Sequence, residues 1–273
     1  MSIVTISRQV GSQGEEIAKL ISQKLDLDLL TRERIHELTI QYDSEFGKAC
    51  STFENEVPKS FWARHFFDSA KRVALFEWLT YKLASQGNVV LLGRGTPVVL
   101  RHRTDVFRIR IVAPFKLRVE QIQKVLAMSH GEAENYVRSY GQRRRNLMES
   151  IFKVDLSDPE LYDIQLNTAE LTVEDAADIL ATGISAKTKS LDQEQSLKDL
   201  AWEAQVKKAN LAIKNVLDLD LLQQIEVRSK EEGQVVISGF VTENWQRSKA
   251  EELALAVEAI EKVDNQLLKK PSY

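Results

Sequence analysis

Apolar residues along this chain keep two rhythms, and their order predicts the architecture. Ile3, Val4 and Ile6 are β-branched, closely spaced and too few for a helix, so they read as a buried strand. Ile17, Leu20, Ile21 and Leu25 then recur at helical spacing. The alternation continues with short strands over 25–30, 88–92, 107–113 and 161–166. Helices fall between them: one capped by Thr31, one from Pro58 to a stop at Gly87, and one over 115–128. His130-Gly131 breaks the last of these, a further helix follows to about 152, and Thr172 with Asp175 caps a final one through Leu180. Within 107–113, Phe107, Ile109 and Ile111 share a face while Arg108 and Arg110 alternate with them, so the other face is wet or paired. Strands alternating with helices imply an α/β fold with a parallel sheet covered on both sides.

After Leu180 the rhythm changes. Residues 183–196 are small, polar and charged, and read as a linker between a domain at 1–182 and a second at 197–270. The second begins with a helix over 197–217. Two alternating strands, 224–229 and 234–241, flank a turn at Glu231-Glu232-Gly233, with Val235, Ile237 and Gly239 facing one way. A helix over 248–263 follows, its stripe made of Ala250, Leu253, Ala254, Val257 and Ile260. One hairpin between two helices can form a small α+β core.

Composition narrows the partners. The net charge of −3 makes no strong demand for nucleic acid or anionic membrane. Counting Lys and Arg against Asp and Glu gives +1 for residues 1–190 and −4 for 191–273, so the arginines belong to the front. Cys50 is the single cysteine, which rules out an internal disulfide and fits a reducing compartment. The N-terminus enters a strand without a signal-peptide pattern and no apolar run reaches spanning length, so a soluble, cytoplasmic protein is expected.

The chemistry gathers at Ser7-Arg8-Gln9-Val10-Gly11-Ser12-Gln13-Gly14. Strand, glycine loop and helix is the setting in which backbone N–H groups cradle a phosphate and the helix dipole favours negative charge. The loop departs from a Walker A motif: Gly14, Glu15 and Glu16 stand where its Lys and following residues would be. A carboxylate about 5 Å from a phosphate charge is repelled by roughly 3 kcal/mol at an effective dielectric near 20. Glu15 and Glu16 therefore turn outward, or meet a metal ion or Arg8. A glycine turn that binds nothing is the plain alternative. Gly93-Arg94-Gly95, after the 88–92 strand, lies at the same sheet edge. The Arg143-Arg144-Arg145 run reads first as a solvated helix face, and neighbours diverging by about 100° leave at most two for a cleft. No aromatic platform is interleaved with it, which argues against nucleic acid.

These residues resemble the cytidylate kinase-like family, a branch of the P-loop nucleoside monophosphate kinases. Ser7-Arg8-x-x-Gly11-Ser12-x-Gly14-x-Glu16-Ile17 looks like its divergent phosphate loop, and Gly93-Arg94-Gly95 with Leu100 like its second motif. Ala113-Pro114 with Arg118 resembles the step into its lid. Asp155, Asp158-Pro159, Tyr162-Asp163 and Asn167-Thr168 resemble its closing segment. The resemblance implies a P-loop kinase-type parallel sheet and phosphoryl transfer from ATP with Mg²⁺ to a nucleoside monophosphate such as CMP. By position, Gly11, Ser12, Gln13 and Gly14 hold donor phosphates, with Glu15 and Glu16 beside them. Arg8 replaces the missing lysine's charge, Gly93, Arg94 and Arg32 meet the acceptor phosphate, and Arg143, Arg144 and Arg118 close over the transferred group. No residue is singled out as a protein ligand for metal. Thr31 and Gly141 stand where the family often has acids, and Glu15 where it often has a base. A nucleotide-binding protein without turnover is therefore the competing reading.

The C-terminal part resembles the BON domain through Val227, Gly233-x-Val235-x-Ile237-Ser238-Gly239-x-Val241, Ala250-x-x-Leu253-Ala254 and Val263-x-Asn265. That resemblance implies a small α+β module binding a small ligand, a phospholipid surface or a protein partner. The acidic balance argues against an anionic membrane. Trp202 and Trp245 are partner anchors or, more plainly, packing.

Overall fold

The computed structural model describes residues 2–31, 33–35, 37–38, 69–93, 95–189, 192–217 and 225–270. Arg32, Arg94, Cys50 and the first part of the helix expected from Pro58 thus lie outside the described residues. Backbone contacts divide the chain into two compact units: 1–57 with 86–193, and 58–85 with 194–273.

The first unit is built on a parallel sheet of five strands, β1 (Ile3–Arg8), β2 (Asp28–Leu30), β3 (Val89–Leu92), β4 (Val106–Val112) and β5 (Ile164–Asn167), in the order β2-β3-β1-β4-β5. Central β1 is buried along its apolar residues because both its neighbours and the covering helices exclude water, which is what its β-branched run requires. Helix α1 (Gly14–Leu25) turns Ile17, Ala18 and Ile21 onto the sheet with Ala176, Ala177, Leu180 and Ile184 of a later helix. From β1 the chain goes to the edge strand β2, returns to β3 beside β1, then crosses to β4 on the other side. The carboxyl ends of β1, β3 and β4 therefore flank the switch point where open parallel sheets take ligands.

After β3 come the short helix that follows Gly95 (Thr96–Val99), helix α4 (Phe115–Leu126) and helix α5 (His130–Phe152). Numbering the short helix α3 leaves α2 for Ser69–Ala84, which belongs to the other unit. The expected break between α4 and α5 falls at 127–129, and His130 and Gly131 open α5. Ser129 accepts from Glu132 N–H while Glu132 accepts from Ser129 N–H, a reciprocal cap. The expected 161–166 strand begins later, because Pro159–Leu161 forms a 3₁₀ turn first.

Helix α6 (Val173–Thr188) has the expected Thr172–Asp175 cap but runs past Leu180 and through Gly183. Gly183 serves close packing there: a Cβ would lie 3.2 Å from the Phe107 ring. Ile184 is fully buried beside it. Of the segment read as a linker, only 189–192 stands between α6 and helix α7 (Gln193–Val216).

The second unit joins α2 and α7 to a three-stranded sheet, β6 (Glu226–Glu231), β7 (Gln234–Val241) and β8 (Lys262–Lys269), with helix α8 (Asn244–Leu255) between β7 and β8. β6–β7 is the expected hairpin. β8, parallel to β7, corrects the reading of 248–263 as one helix. Its alternation of Val263, Asn265 and Leu267 with charged and polar residues is too weak to announce a strand, and pairing with β7 decides it. Val227, Val235, Ile237, Val241, Ala250, Ala254 and Leu267 share one apolar cluster with Ala70 of α2. Glu77 of α2 pairs with Lys207 of α7 at 3.3 Å.

Candidate functional site

The loop leaving β1 is tied down from several sides. Gln9 N–H donates to Ile111 C=O at 3.0 Å, and Ala113 N–H donates to the Gln9 side chain at 3.1 Å. Ser12 closes the turn on itself: its N–H and its buried hydroxyl both donate to Gln9 C=O, at 3.2 and 2.7 Å. Gly11, at φ +78°, lies so close to α4 that a Cβ would sit 2.5 Å from Arg118 C=O. Gln13 ends the turn in the left-handed region and begins α1 without a side-chain cap. The first-turn amides of α1 thus have no side-chain cap.

Arg8 organises the space in front of this turn. Its stem occupies the volume a Gly14 side chain would need, since a Cβ there would meet Arg8 Cβ at 2.5 Å and Cγ at 2.8 Å. The missing side chain at 14 and the presence of Arg8 are one packing fact. The Arg8 guanidinium also lies against Gly93, leaving no room there for a Cβ, and Arg144 Nη2 is 3.8 Å from that same point. Arg144 Nη1 donates to Arg8 C=O at 3.1 Å. Residues 7–8, 93 and 144, scattered in sequence, converge at the carboxyl ends of β1 and β3.

A cavity of about 1050 Å³ opens beside this cluster, bounded by Arg8, Arg110, Arg118, Tyr136, Arg143 and Arg144 among others. Gly141 also lines it, with nothing within 4 Å of where its Cβ would be. Arg143 and Arg144 both reach the wall although they are successive in α5, and Arg145, also on it, donates to Gln142 at 2.8 Å. Arg118 donates to Ala113 C=O at 3.0 Å. Burial, then the nearby Arg145 charge, lowers its pKa. Glu15 pairs with Arg8 at 2.5 Å, while Glu16 is exposed on the helix.

Arg110 was not foreseen as a site residue. It is buried in β4, donates to Tyr162 Oη at 3.0 Å, and lies over that ring at 5.4 Å. Tyr162 in turn donates to Leu156 C=O at 3.0 Å. The available signal was a cation alternating with isoleucines in a strand covered on both faces, where charge is costly unless it is used or paired. Its neighbour Arg108 is paired: it grips Asp163, which also meets Lys187 at 3.2 Å.

Positive charge is therefore concentrated here with little to balance it. Among the described residues neither Arg110 nor Arg144 forms an ion pair; Asp155, bonded to Ser157, feels Arg110 only at longer range. Removal from solvent, and then the Arg8 charge, hold the Arg144 guanidinium down to about 10. Several arginines crowd one sheet edge close to the start of α1, an arrangement whose charge suits an anion.

The model of the cytidylate kinase-like family matches residues 3–170, and that of the BON domain matches 205–270. Cytidylate kinases of Methanococcus aeolicus and Pyrobaculum aerophilum are 25% and 27% identical over 196 residues, 68% of this chain and 99% and 97% of those proteins. A cytidylate kinase of Staphylothermus marinus is 31% identical over 103 residues, 37% of this chain; the chain spans only 56% of that relative. A crystal structure of an uncharacterized protein from Eubacterium ventriosum superposes with a TM-score of 0.54 at 16% identity, covering 68% of this chain and 99% of that one. That likeness concerns the fold alone. The family match takes in more than half of the sequence and all five strands of the first sheet, so the chain belongs to the cytidylate kinase-like family, with a BON domain following.

Proposed function

We propose that the first unit binds a nucleoside triphosphate at the 9–14 turn and transfers its terminal phosphoryl group to a nucleoside monophosphate, CMP being the first candidate. The observation that carries this is the gathering of Arg8, Arg110 and Arg144 around one cavity next to the β1–α1 turn, with Arg8 packed on Gly14 and paired with Glu15. Phosphoryl transfer asks mainly for charge stabilisation and in-line positioning, which such a cluster supplies. In this reading Gly11, Gln13 and Gly14 present amides to the donor phosphates, and Arg8 bridges them toward Gly93 and the acceptor. Arg143, Arg144 and Arg118 enclose the moving group. Arg32 and Arg94 remain acceptor candidates from sequence.

The arginine-lined cavity suits the charge of a triphosphate, whereas Ser12 spends its hydroxyl on Gln9, Glu15 is paired with Arg8, and Glu132 is bound to Ser129. Among the described residues no group of three acidic, His or Cys side chains could hold a metal. No step is assigned to the ion here.

The names of the relatives support CMP, and a nucleotide substrate supports a cytoplasmic setting. Among the described residues no helix is long and apolar enough to cross a membrane. The functional division proposed is 1–182 for nucleotide, 183–196 as connection, and 197–270 as a BON module for a small ligand or protein partner. Gly141 on the cavity wall favours a second reading, nucleotide binding without turnover. The experiment is a coupled assay of ATP-dependent phosphorylation of CMP, dCMP and UMP by the full chain, beside calorimetric ATP binding. Turnover supports the transferase; binding alone supports the second reading; neither overturns both.

A further inference from the structure

We infer that Glu15 is a built-in anion that occupies Arg8 until a phosphate displaces it, so that it sets how tightly the loop binds phosphates. The inference rests on the nucleotide reading above and adds a control that reading does not require.

The two partners of the 2.5 Å pair are held very differently. The Arg8 side chain is only 11% exposed, whereas Glu15 is 68% exposed. Arg8 is fixed along its length: its stem lies against Gly14, its guanidinium against Gly93, and its carbonyl accepts from Arg144. Glu15 has solvent around it and can rotate away at small cost. The cation stays and the carboxylate leaves.

Glu15 also stands in the first turn of α1, where the helix dipole favours negative charge. A phosphate on the same amides would seek the same dipole and the same guanidinium. The two anions therefore compete, and the resting site keeps a partner for Arg8 when no phosphate is bound. Without Glu15, Arg8 would stand beside Arg144 without its ion-pair partner. The exchange makes and breaks no covalent bond: one carboxylate is released to water as one phosphate oxygen takes its place.

Glu15→Gln keeps the size and polarity of the side chain and removes its charge. The test is calorimetric titration of the full chain with sodium tripolyphosphate and with ATP at low ionic strength. Wild type, Glu15→Gln, Arg8→Ala and the double variant are compared, with thermal unfolding as the fold control. The expected result is about tenfold tighter binding of both probes by Glu15→Gln, a gain that vanishes in the Arg8→Ala background. Equal or weaker binding by Glu15→Gln, with wild type still binding ATP, overturns the inference and leaves the nucleotide reading standing. A gain that survives without Arg8 also overturns it, since Glu15 would then act through the general field. No binding of either probe by any variant overturns the inference and the nucleotide reading together.

Discussion

Arg8→Ala tests the proposed anion site most directly. In that proposed site the side chain supplies one charge-assisted contact to a bound phosphate, and losing such a contact costs about 1.5–3 kcal/mol. Its existing pair offsets little of this, because Glu15 is mostly exposed and an exposed pair contributes about 0–1 kcal/mol. Affinity for ATP should therefore fall about 10- to 100-fold. The apo fold should hold: the lost packing against Gly14 is countered by removal of the Arg8 charge, which adds to burial in lowering the Arg144 pKa. At ATP equal to 100 times the wild-type Kd, ligand stabilisation is about 2.7 kcal/mol, and a 100-fold weaker site retains about 0.4. For a protein of this size that is a thermal shift of roughly 5–11 °C reduced to about 1–2 °C. Differential scanning fluorimetry with and without ATP measures both the apo midpoint and the shift. An undiminished shift in a well-folded Arg8→Ala protein refutes the assignment of Arg8 to the phosphates.

Other consequences follow from single contacts. Burial alone would raise Asp163, but hydrogen bonds from Arg108 and the Lys187 charge outweigh it and hold its carboxyl below the usual range. That stability is present above the unfolded carboxyl pKa and is lost as pH falls through the folded one. Asp163→Asn should accordingly flatten the acid limb of a stability-versus-pH curve below about pH 4 and lower stability at pH 7, read by urea unfolding. Gly183→Leu must push into Phe107 and should cost about 1–3 kcal/mol by chemical denaturation, despite the better helix former. Ile237→Ala opens a cavity in the cluster that includes Ala70, at a cost of about 2–5 kcal/mol. Hydrogen exchange should then speed up in 69–84 together with 226–269, while β1 and β4 stay protected; unchanged exchange in 69–84 would separate α2 from that core.

Much of the first unit was legible because local signals and tertiary demands agree there. The β-branched start, the glycine turn and the helical stripe of Ile17 and Ile21 each admit one local structure, and the fold uses all three. The second unit was half legible. Its hairpin announced itself through Gly233 and the Val235–Ile237 alternation, but β8 lacks a strong pattern and exists because β7 offers it a full row of partners. Helix α2 is the sharper case. Its sequence lies inside the stretch that matches the kinase-like family, yet Ala70 packs in the C-terminal cluster, and no periodicity states which core an apolar stripe will choose.

The site divides along the same line. Local order in the chain was enough to mark Gly11 to Gly14 as a turn shaped for anions and Arg8 as the cation beside it, because backbone freedom and charge type are properties of the residues themselves. Folding supplied what no neighbour in sequence could. It laid the Arg8 stem over Gly14, set its guanidinium against Gly93, brought in Arg144 from α5 and turned Arg110 toward Tyr162. A covalent chain states which side chains carry charge; distance between charges, and hence their energy, comes only from the packing that brings remote strands to one edge.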